Sequence, residues 1–350
     1  MEKMINNIDP SQPVLVTGAG GYLASWVCKI LVEGGYTVRG TVRSLADASK
    51  YGHLMKIAKD GPGRLDFFEA DLLKHDSFSR AMKGCALVIH TASPFMIKGV
   101  KNAQRQLVDP AVEGTKNILL TAAEVTGVQR VVLTSSVVAT FNDAIEILDK
   151  PSGKISEADW NLIADLNYQP YNFSKTLAEK TAWAMTQEQQ KWDLVTINPA
   201  FILGPALSGR TEGTSADFMS ALLSGRMRLG APDLYFGVVD VREAALAHIL
   251  AGFTPEANGR YILCNDSYSM LDIAQIIARK YPNFALPKKL MPNWLMYMVG
   301  PMEGFNWRNL KNNLGYKPLF DNHCSVDLGV TYRNIEETIW DQVEQLSNPQ

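Results

Sequence analysis

The sequence predicts an α/β protein: a doubly wound parallel sheet joined to a smaller, mixed α/β lobe. Three observations predict it. Short β-branched runs alternate with helical stretches through residues 13–199, the rhythm of parallel βαβ units. A glycine-rich turn, Thr17-Gly18-Ala19-Gly20-Gly21-Tyr22-Leu23-Ala24, follows the first strand and opens a helix. After Pro199 the rhythm gives way to segments punctuated by Gly and Pro.

The elements follow in order. Residues 13–17 read as a buried strand and 24–33 as a helix stopped by Gly34-Gly35. Strands are expected at 36–42, 65–69 and 86–91, with a helix at 76–82 before the last of them. A long helix should cover 110–125, followed by strands at 131–134 and 194–198. Right-handed crossovers then bring the strand C-termini to one edge, where ligands bind in such sheets. Beyond Pro199, Gly and Pro cluster at Gly204-Pro205, Gly209, Gly213 and residues 230–232. Helices are expected at 215–224 and 271–281, and a Pro- and Met-rich stretch spans 282–301. Residues 238–250 read as a strand and helix that return to the first lobe. The expected division is a Rossmann domain of residues 12–199 with 236–253 and about 322–345, and a smaller lobe of 200–235 with 254–321.

Composition narrows the function classes. At 46% apolar and 20% charged, the chain is an ordinary globular protein. A formal net charge of −2 gives no reason to expect nucleic acid or an anionic membrane as a partner. The first ten residues lack the apolar core of a signal peptide, and no apolar run approaches the ~18 residues of a membrane helix. Cys28, Cys85, Cys264 and Cys324 lie far apart, with no metal-ligand or redox spacing. No metal is expected, and a reducing cytoplasm fits best.

The glycine turn is a candidate dinucleotide site. Gly18 permits a tight turn, Gly21 lets backbone amides approach a pyrophosphate, and Ala24 lets helix and strand pack closely. Thr17, Gly20, Tyr22 and Leu23 complete this set. A βα turn with no ligand is the alternative. An NAD site commonly places a carboxylate at the end of the second strand, and residues 38–44 contain none. Arg43 stands there instead, suited to a 2′-phosphate with Lys50 assisting, so NADP(H) is the expected cofactor. A solvated strand-end charge is the competing reading of Arg43, and Asp47 is the one nearby residue that argues for NAD. Asp71 can accept from the adenine amino group with Leu72 packing the ring, or Asp71 can cap the next helix; the two stand equal. Thr91, Ala92, Ser93 and Thr134 end strands on the ligand edge and are expected to line the cofactor channel.

Tyr171 and Lys175 are four residues apart, so on a helix they share a face. A nearby positive charge lowers a phenol's pKa, which makes the pair a proton donor for a carbonyl oxygen. Ser136, at the end of the fifth strand, can hydrogen-bond that carbonyl, while alternation turns Ser135 away. A packed tyrosine beside a snorkelling lysine, and a strand-end turn serine, are the structural alternatives.

With these runs in view, the chain resembles the extended short-chain dehydrogenase/reductases, and more narrowly the dihydroflavonol 4-reductase-like group. That group includes microbial carbonyl, aldehyde and methylglyoxal reductases. The resemblance is carried by residues 17–24, Thr41-Val42-Arg43, Ala70-Asp71-Leu72, His90-Thr91-Ala92-Ser93-Pro94, Val112-Glu113-Gly114-Thr115, residues 133–136, Tyr171 to Lys175, Asn198-Pro199, Gly204-Pro205 and Val239-Asp240-Val241. It implies Ser136 as carbonyl anchor, Tyr171 as proton donor and Lys175 as ribose ligand and tuner. It also implies that Pro199, with Phe201 and Ile202 after it, contacts the nicotinamide end, and it allows a monomer or a homodimer. Plant dihydroflavonol reductases carry a hydroxyl-reading asparagine where this chain has Phe141, with Asn142 displaced by one. The run Asn167-Tyr168-Gln169-Pro170 lacks the signature of cinnamoyl-CoA reductases. Phe95, Val137, Phe141, Tyr168, Phe201, Met219 and Tyr235 are therefore expected to form a pocket for a medium-sized apolar or aryl aldehyde or ketone. Two other readings stay open: a sugar-nucleotide epimerase or dehydratase with tightly bound NAD, and a dinucleotide-sensing regulator without catalysis.

Overall fold

A computed structural model describes residues 8–93, 100–208 and 213–347. Its centre is a seven-stranded, wholly parallel sheet in the order β3-β2-β1-β4-β5-β6-β9. The strands are β1 (Val14–Thr17), β2 (Thr37–Val42), β3 (Arg64–Glu69), β4 (Leu87–His90), β5 (Arg130–Thr134), β6 (Asp193–Pro199) and β9 (Gly259–Leu263). β1 and β4 are buried at every residue, which explains their unbroken apolar runs Val-Leu-Val and Leu-Val-Ile. The order reverses between β1 and β4, so the crevice at their C-terminal ends is the ligand-binding position of this topology.

Helices cover both faces. On one, α1 (Tyr22–Glu33) packs against α7 (Val241–Phe253), beside α2 (Gly52–Asp60). The alanines of α7 let it lie close to the sheet, and a Cβ at Gly252 would stand only 2.5 Å from Leu87. On the other face are α3 (Ser79–Met82), α4 (Asp109–Glu124) and α5 (Pro170–Gln187), around a second core cluster. Arg130, fully buried, fastens β5 and β6 to the end of α7. It makes two 2.8 Å bonds to Asp193 and donates to the carbonyls of Ala251, Thr254 and Pro255 that end α7.

The smaller lobe carries the sheet β10-β8-β7, with β7 (Phe201–Leu203), β8 (Tyr235–Asp240) and β10 (Asp266–Ser269). Around it lie α6 (Thr214–Leu223), α8 (Met270–Lys280), α9 (Asn293–Val299), α10 (Trp307–Asn313) and α12 (Ile335–Ser347), while α11 (His323–Asp327) lies against β9.

The expected division needs three corrections. Residues 259–263 form β9 and pair with β6, so they belong to the large sheet rather than the smaller lobe. β8 pairs with β7 and β10, so only α7 returns to the first lobe. The C-terminal stretch also divides: α11 lies against β9, while α12 packs on α8, α6 and β7, burying Ile339 and Val343 in the small-lobe core. In each case the side chains go where an apolar surface is available, regardless of chain order. No helix among the described residues is long and apolar enough to cross a membrane.

Candidate active site

The glycine turn lies where β1 feeds α1. Gly18 adopts φ +66°, and its amide donates to Thr41 Oγ1 (3.1 Å) while that of Ala19 donates to the Thr41 carbonyl (2.8 Å). Gly20 has a different reason to be glycine: a Cβ there would stand 2.4 Å from the Lys50 carbonyl oxygen. The helix that follows has Gly21 as N-cap, no capping side chain and no acidic residue in its first turn. Its free amides and positive dipole end therefore remain available to an anion.

Three expected residues of this turn have other work. Thr17 is wholly buried; its hydroxyl bonds His90 Nδ1 (2.8 Å) and accepts from the amides of Thr91 and Ala92. It aligns the ends of β1 and β4 rather than facing the crevice. The Tyr22 hydroxyl donates to the Gly204 carbonyl (2.7 Å), and Trp26 Nε1 to that of Pro205 (2.8 Å), tying α1 to the chain after β7. Leu23 is 9% exposed and packs in the core.

At the end of β2, Arg43 is exposed and makes no hydrogen bond or ion pair with another described residue. Lys50 is exposed beside Gly20. Asp47 is engaged locally, accepting from the Ser49 hydroxyl. Asp71 Oδ1 accepts from the Leu73 amide (3.0 Å), closing a local turn; the next helix, α3, begins only at Ser79 with no capping side chain, so Asp71 is not its cap. Leu72 lies against Gly114, with Asn117 donating to its carbonyl.

α5 carries Tyr171 and Lys175. Pro170 is its first residue and disfavours the right-handed region for Gln169, which takes a left-handed conformation at φ 55°. A left-handed non-glycine residue two positions before Tyr171 costs about 1–3 kcal/mol and persists only when its surroundings fix it. Asp165 fixes this turn, its Oδ1 accepting from the amides of Asn167 and Tyr168. Tyr168 in turn donates its hydroxyl to Asp143 Oδ1 (2.7 Å), and Asn312 and Asn313 of α10 donate to the same carboxylate.

Lys175 is 8% exposed, and its Nζ reaches the Thr134 carbonyl at 3.4 Å. Burial pulls its pKa down to about 8, with the charge of Glu179 opposing that fall. Desolvation pushes the Tyr171 phenol above its usual range. Burial thus outweighs the expected depression by Lys175, and Tyr171 is a protonated donor at neutral pH. His90, beside Lys175, is held neutral, its pKa lowered to about 3 by burial and then by the lysine. Ser136 lies at the end of β5, its Oγ 3.5 Å from the Pro199 carbonyl and accepting from the Val138 amide. Ser135 points the other way, to Glu179 (2.5 Å), as alternation requires.

Leu72, Ala92, Ser93, Thr134 and Lys175 line one narrow cavity with His90, Thr115, Ser135 and Glu179. At about 20 Å³ it has room for roughly one water. The Thr134 hydroxyl bonds His248 of α7 (2.8 Å), leaving its carbonyl for Lys175.

The expected pocket does not assemble as one wall. Phe95 lies outside the described residues. Met219, fully buried, belongs to the small-lobe core, and Val137 to a cluster with Ile155, Ala200 and Phe320. Phe141 packs edge-on to Phe320 (5.2 Å), and Phe201 edge-on to Phe218 (5.3 Å). Tyr168 is 4% exposed under the Arg308 guanidinium, 3.9 Å from its ring, while Phe141, Phe201 and Tyr235 are half-buried. Asn142, beside Phe141, accepts from Asn172 Nδ2 (3.1 Å), and its own buried Nδ2 has no partner among the described residues. Such a donor is suited to a ligand oxygen or a water.

A family model described as the NAD dependent epimerase/dehydratase family matches residues 14–259. The cinnamoyl-CoA reductase CAD2 of Medicago truncatula is 40% identical over 279 residues, which is 79% of this chain and 83% of that protein. Gre2 from Candida albicans, solved in complex with NADPH, superposes with a TM-score of 0.77 at 29% identity, over 96% of this chain and 99% of that one. The yeast methylglyoxal/isovaleraldehyde reductase Gre2, also complexed with NADPH, gives a TM-score of 0.75 at 27% identity, over 95% and 98% of the two chains. The chain belongs to the NAD dependent epimerase/dehydratase family, the extended short-chain dehydrogenase/reductases, and stands with its dihydroflavonol 4-reductase-like reductases.

Proposed function

We propose that the chain is an NADPH-dependent reductase of a medium-sized apolar or aryl aldehyde or ketone. The observation that carries this reading is the protonated, desolvated Tyr171 on the same helix face as the buried Lys175, with Ser136 at the adjoining strand end. The reductase names of the Medicago and yeast proteins, and the NADPH held by the Candida and yeast proteins, support it.

The residues fit the cofactor. The uncapped N-terminus of α1 suits a pyrophosphate, and the exposed Arg43, which has no hydrogen bond or ion pair among the described residues, suits a 2′-phosphate, with Lys50 assigned to assist it. Asp71 and Leu72 are assigned to the adenine end, Thr91, Ala92, Ser93 and Thr134 to the middle, and Pro199, Phe201 and Ile202 to the nicotinamide end. When bound, the cofactor supplies the hydride that the carbonyl carbon accepts.

Ser136 donates to the carbonyl oxygen and fixes its position. Tyr171 transfers its phenolic proton to that oxygen as the alcohol forms, which leaves a phenolate to be reprotonated from solvent. Lys175 stabilises that phenolate by its charge and binds the ribose hydroxyls. A positioned acid of this kind contributes about 10²–10⁴-fold. The large sheet is assigned to the cofactor and the smaller lobe to the substrate.

The test is an initial-rate assay with NADPH and NADH over aliphatic aldehydes, diketones, aryl ketones, a dihydroflavonol and a hydroxycinnamoyl thioester. Oxidation of NADPH in preference to NADH, with an apolar aldehyde or ketone, is expected. NADPH binding without turnover on any of them, or NAD⁺ retained through purification, contradicts the proposal. Turnover of the thioester alone would move the substrate to the class in the Medicago protein's name.

A further inference from the structure

Behind Lys175 lies a buried ionic network. Glu179, one turn later on α5, is 1% exposed. Its Oε1 accepts from Arg260 Nε of β9 (2.6 Å), and from Trp183 Nε1 and Thr196 Oγ1 (both 3.3 Å). Its Oε2 accepts from Ser135 Oγ (2.5 Å) and Asn198 Nδ2 (2.8 Å). Asn198 Nδ2 also donates to the carbonyl of Ser136 (3.1 Å). Arg260 is itself fixed: its Nη1 donates to the carbonyls of Glu157 (2.6 Å) and Asp159 (2.5 Å), and its guanidinium lies 4.0 Å from the Trp160 ring centroid.

We propose that Glu179, clamped by Arg260, is a positioning residue for carbonyl reduction: its charge keeps the buried Lys175 protonated, and its hydrogen bonds set the Ser135-Ser136 turn. This rests on the reductase reading of Tyr171 and Lys175.

The argument is one of charge and reach. A buried ammonium without a counter-charge loses its proton, because desolvation penalises the charged form. The groups around Lys175 leave few sources of compensation. Among the described residues, His90 of β4 is neutral, Tyr171 is a neutral phenol, and α4 and β5 bring only uncharged groups, Pro110, Ala111, Thr115, Leu133 and Thr134, to the cavity that Lys175 lines. Arg260 of β9 is a like charge already neutralised by Glu179. Glu179 is therefore the anion whose field reaches the amine, and its charge raises the Lys175 pKa against burial. No ion pair within 4.0 Å joins the two among the described residues, so the amine keeps its donors for a ligand. Arg260 holds the carboxylate, so the carboxylate acts on Lys175 without capturing it. The same carboxylate, through Ser135 directly and Asn198 at one remove, grips both sides of the turn that presents Ser136.

A purely structural network would make the same bonds, so the experiment separates the two. Glu179→Gln keeps the shape and removes the charge; Glu179→Gln with Arg260→Met removes both ions and avoids a buried, unpaired guanidinium. The Lys175 amine is titrated by NMR, its signal assigned by its loss in Lys175→Met, and the alkaline limb of kcat/KM for NADPH oxidation is measured in parallel. The expected result is that both the amine pKa and the alkaline limb move down, by about 1 unit or more in Glu179→Gln and by less in the double variant, where a like charge is removed as well. If Glu179→Gln does not fold, the double variant gives the reading. An unmoved amine pKa and alkaline limb in an active, folded variant would overturn the proposal. A shifted amine pKa in a protein with no carbonyl turnover would refute the reductase reading and leave the effect of Glu179 on Lys175 standing.

Discussion

Arg43→Ala removes the one side chain on which the choice of dinucleotide rests. Arg43 is exposed at the end of β2 and has no partner among the described residues. Its loss breaks no native contact, so stability should stay within about 0.5 kcal/mol of wild type. A charge-assisted hydrogen bond to a phosphate contributes about 1.5–3 kcal/mol, and solvent screening at an exposed site favours the lower half of that range. A loss of about 1.5–2 kcal/mol corresponds to roughly 10–30-fold in affinity. The KM for NADPH should rise by that factor, while the KM for NADH, which lacks the 2′-phosphate, should not change. The assay is an initial-rate titration of each cofactor at fixed carbonyl substrate, with a thermal melt as control. Raised salt should weaken wild-type binding of NADPH more than that of the variant. An equal loss with both cofactors would refute the reasoning, because Arg43 would then serve a part they share. No loss with either would make Arg43 a solvated strand-end charge.

Other outcomes follow from the same geometry. Gly20→Ala would place a Cβ 2.4 Å from the Lys50 carbonyl, so the 48–50 turn must move; binding of NADPH and NADH should weaken together and the melting temperature should fall, as read by calorimetry. Lys175 titrates near 8 in the folded chain against its usual 10.5, so the unfolded chain holds more protons between those values. Stability therefore rises with pH across that window, and below it the full penalty, roughly 3 kcal/mol, is present. Lys175→Met should be more stable than wild type in urea at pH 7, with the advantage shrinking towards the upper end of the window. Asp143→Ala would leave the Tyr168 hydroxyl without its acceptor and take one acceptor from Asn312 and Asn313, at a cost of about 1–3 kcal/mol, and should slow turnover by loosening the turn before Tyr171. Normal stability and turnover in that variant would contradict the role given to the turn.

The centre of the large sheet was legible because β1 and β4 are buried at every residue and read as continuous apolar runs. β9 was missed because Gly259-Arg260-Tyr261-Ile262-Leu263 offers only a short run opened by glycine, and its partner β6 is remote in sequence. α2 was missed because its residues, Gly-His-Leu-Met-Lys-Ile-Ala-Lys-Asp, bury only Leu54. The candidate site was legible where one element carries it: Gly18 and Gly20 in one turn, Tyr171 and Lys175 on one helix. Glu179 continues the same i, i+4 face, and that spacing was readable. Its partners were not, because Ser135, Asn198 and Arg260 come from three different strands. Thr17 and Tyr22 were drawn to the cofactor by their place in the motif, yet tertiary contacts with His90 and Gly204 claim their hydroxyls. The apolar pocket residues were least legible, since a residue such as Met219 has the same sequence signature in a core as in a pocket wall.

The central claim is that the Tyr171 phenol gives the proton that completes carbonyl reduction. Its most direct test is Tyr171→Phe, mixed with NADPH and the best aldehyde or ketone substrate and followed through a single turnover, with NADPH affinity measured on the same preparation. The account predicts unchanged NADPH affinity and a turnover rate lower by about 10²–10⁴-fold. A variant that binds NADPH and reduces the carbonyl at the wild-type rate would contradict it.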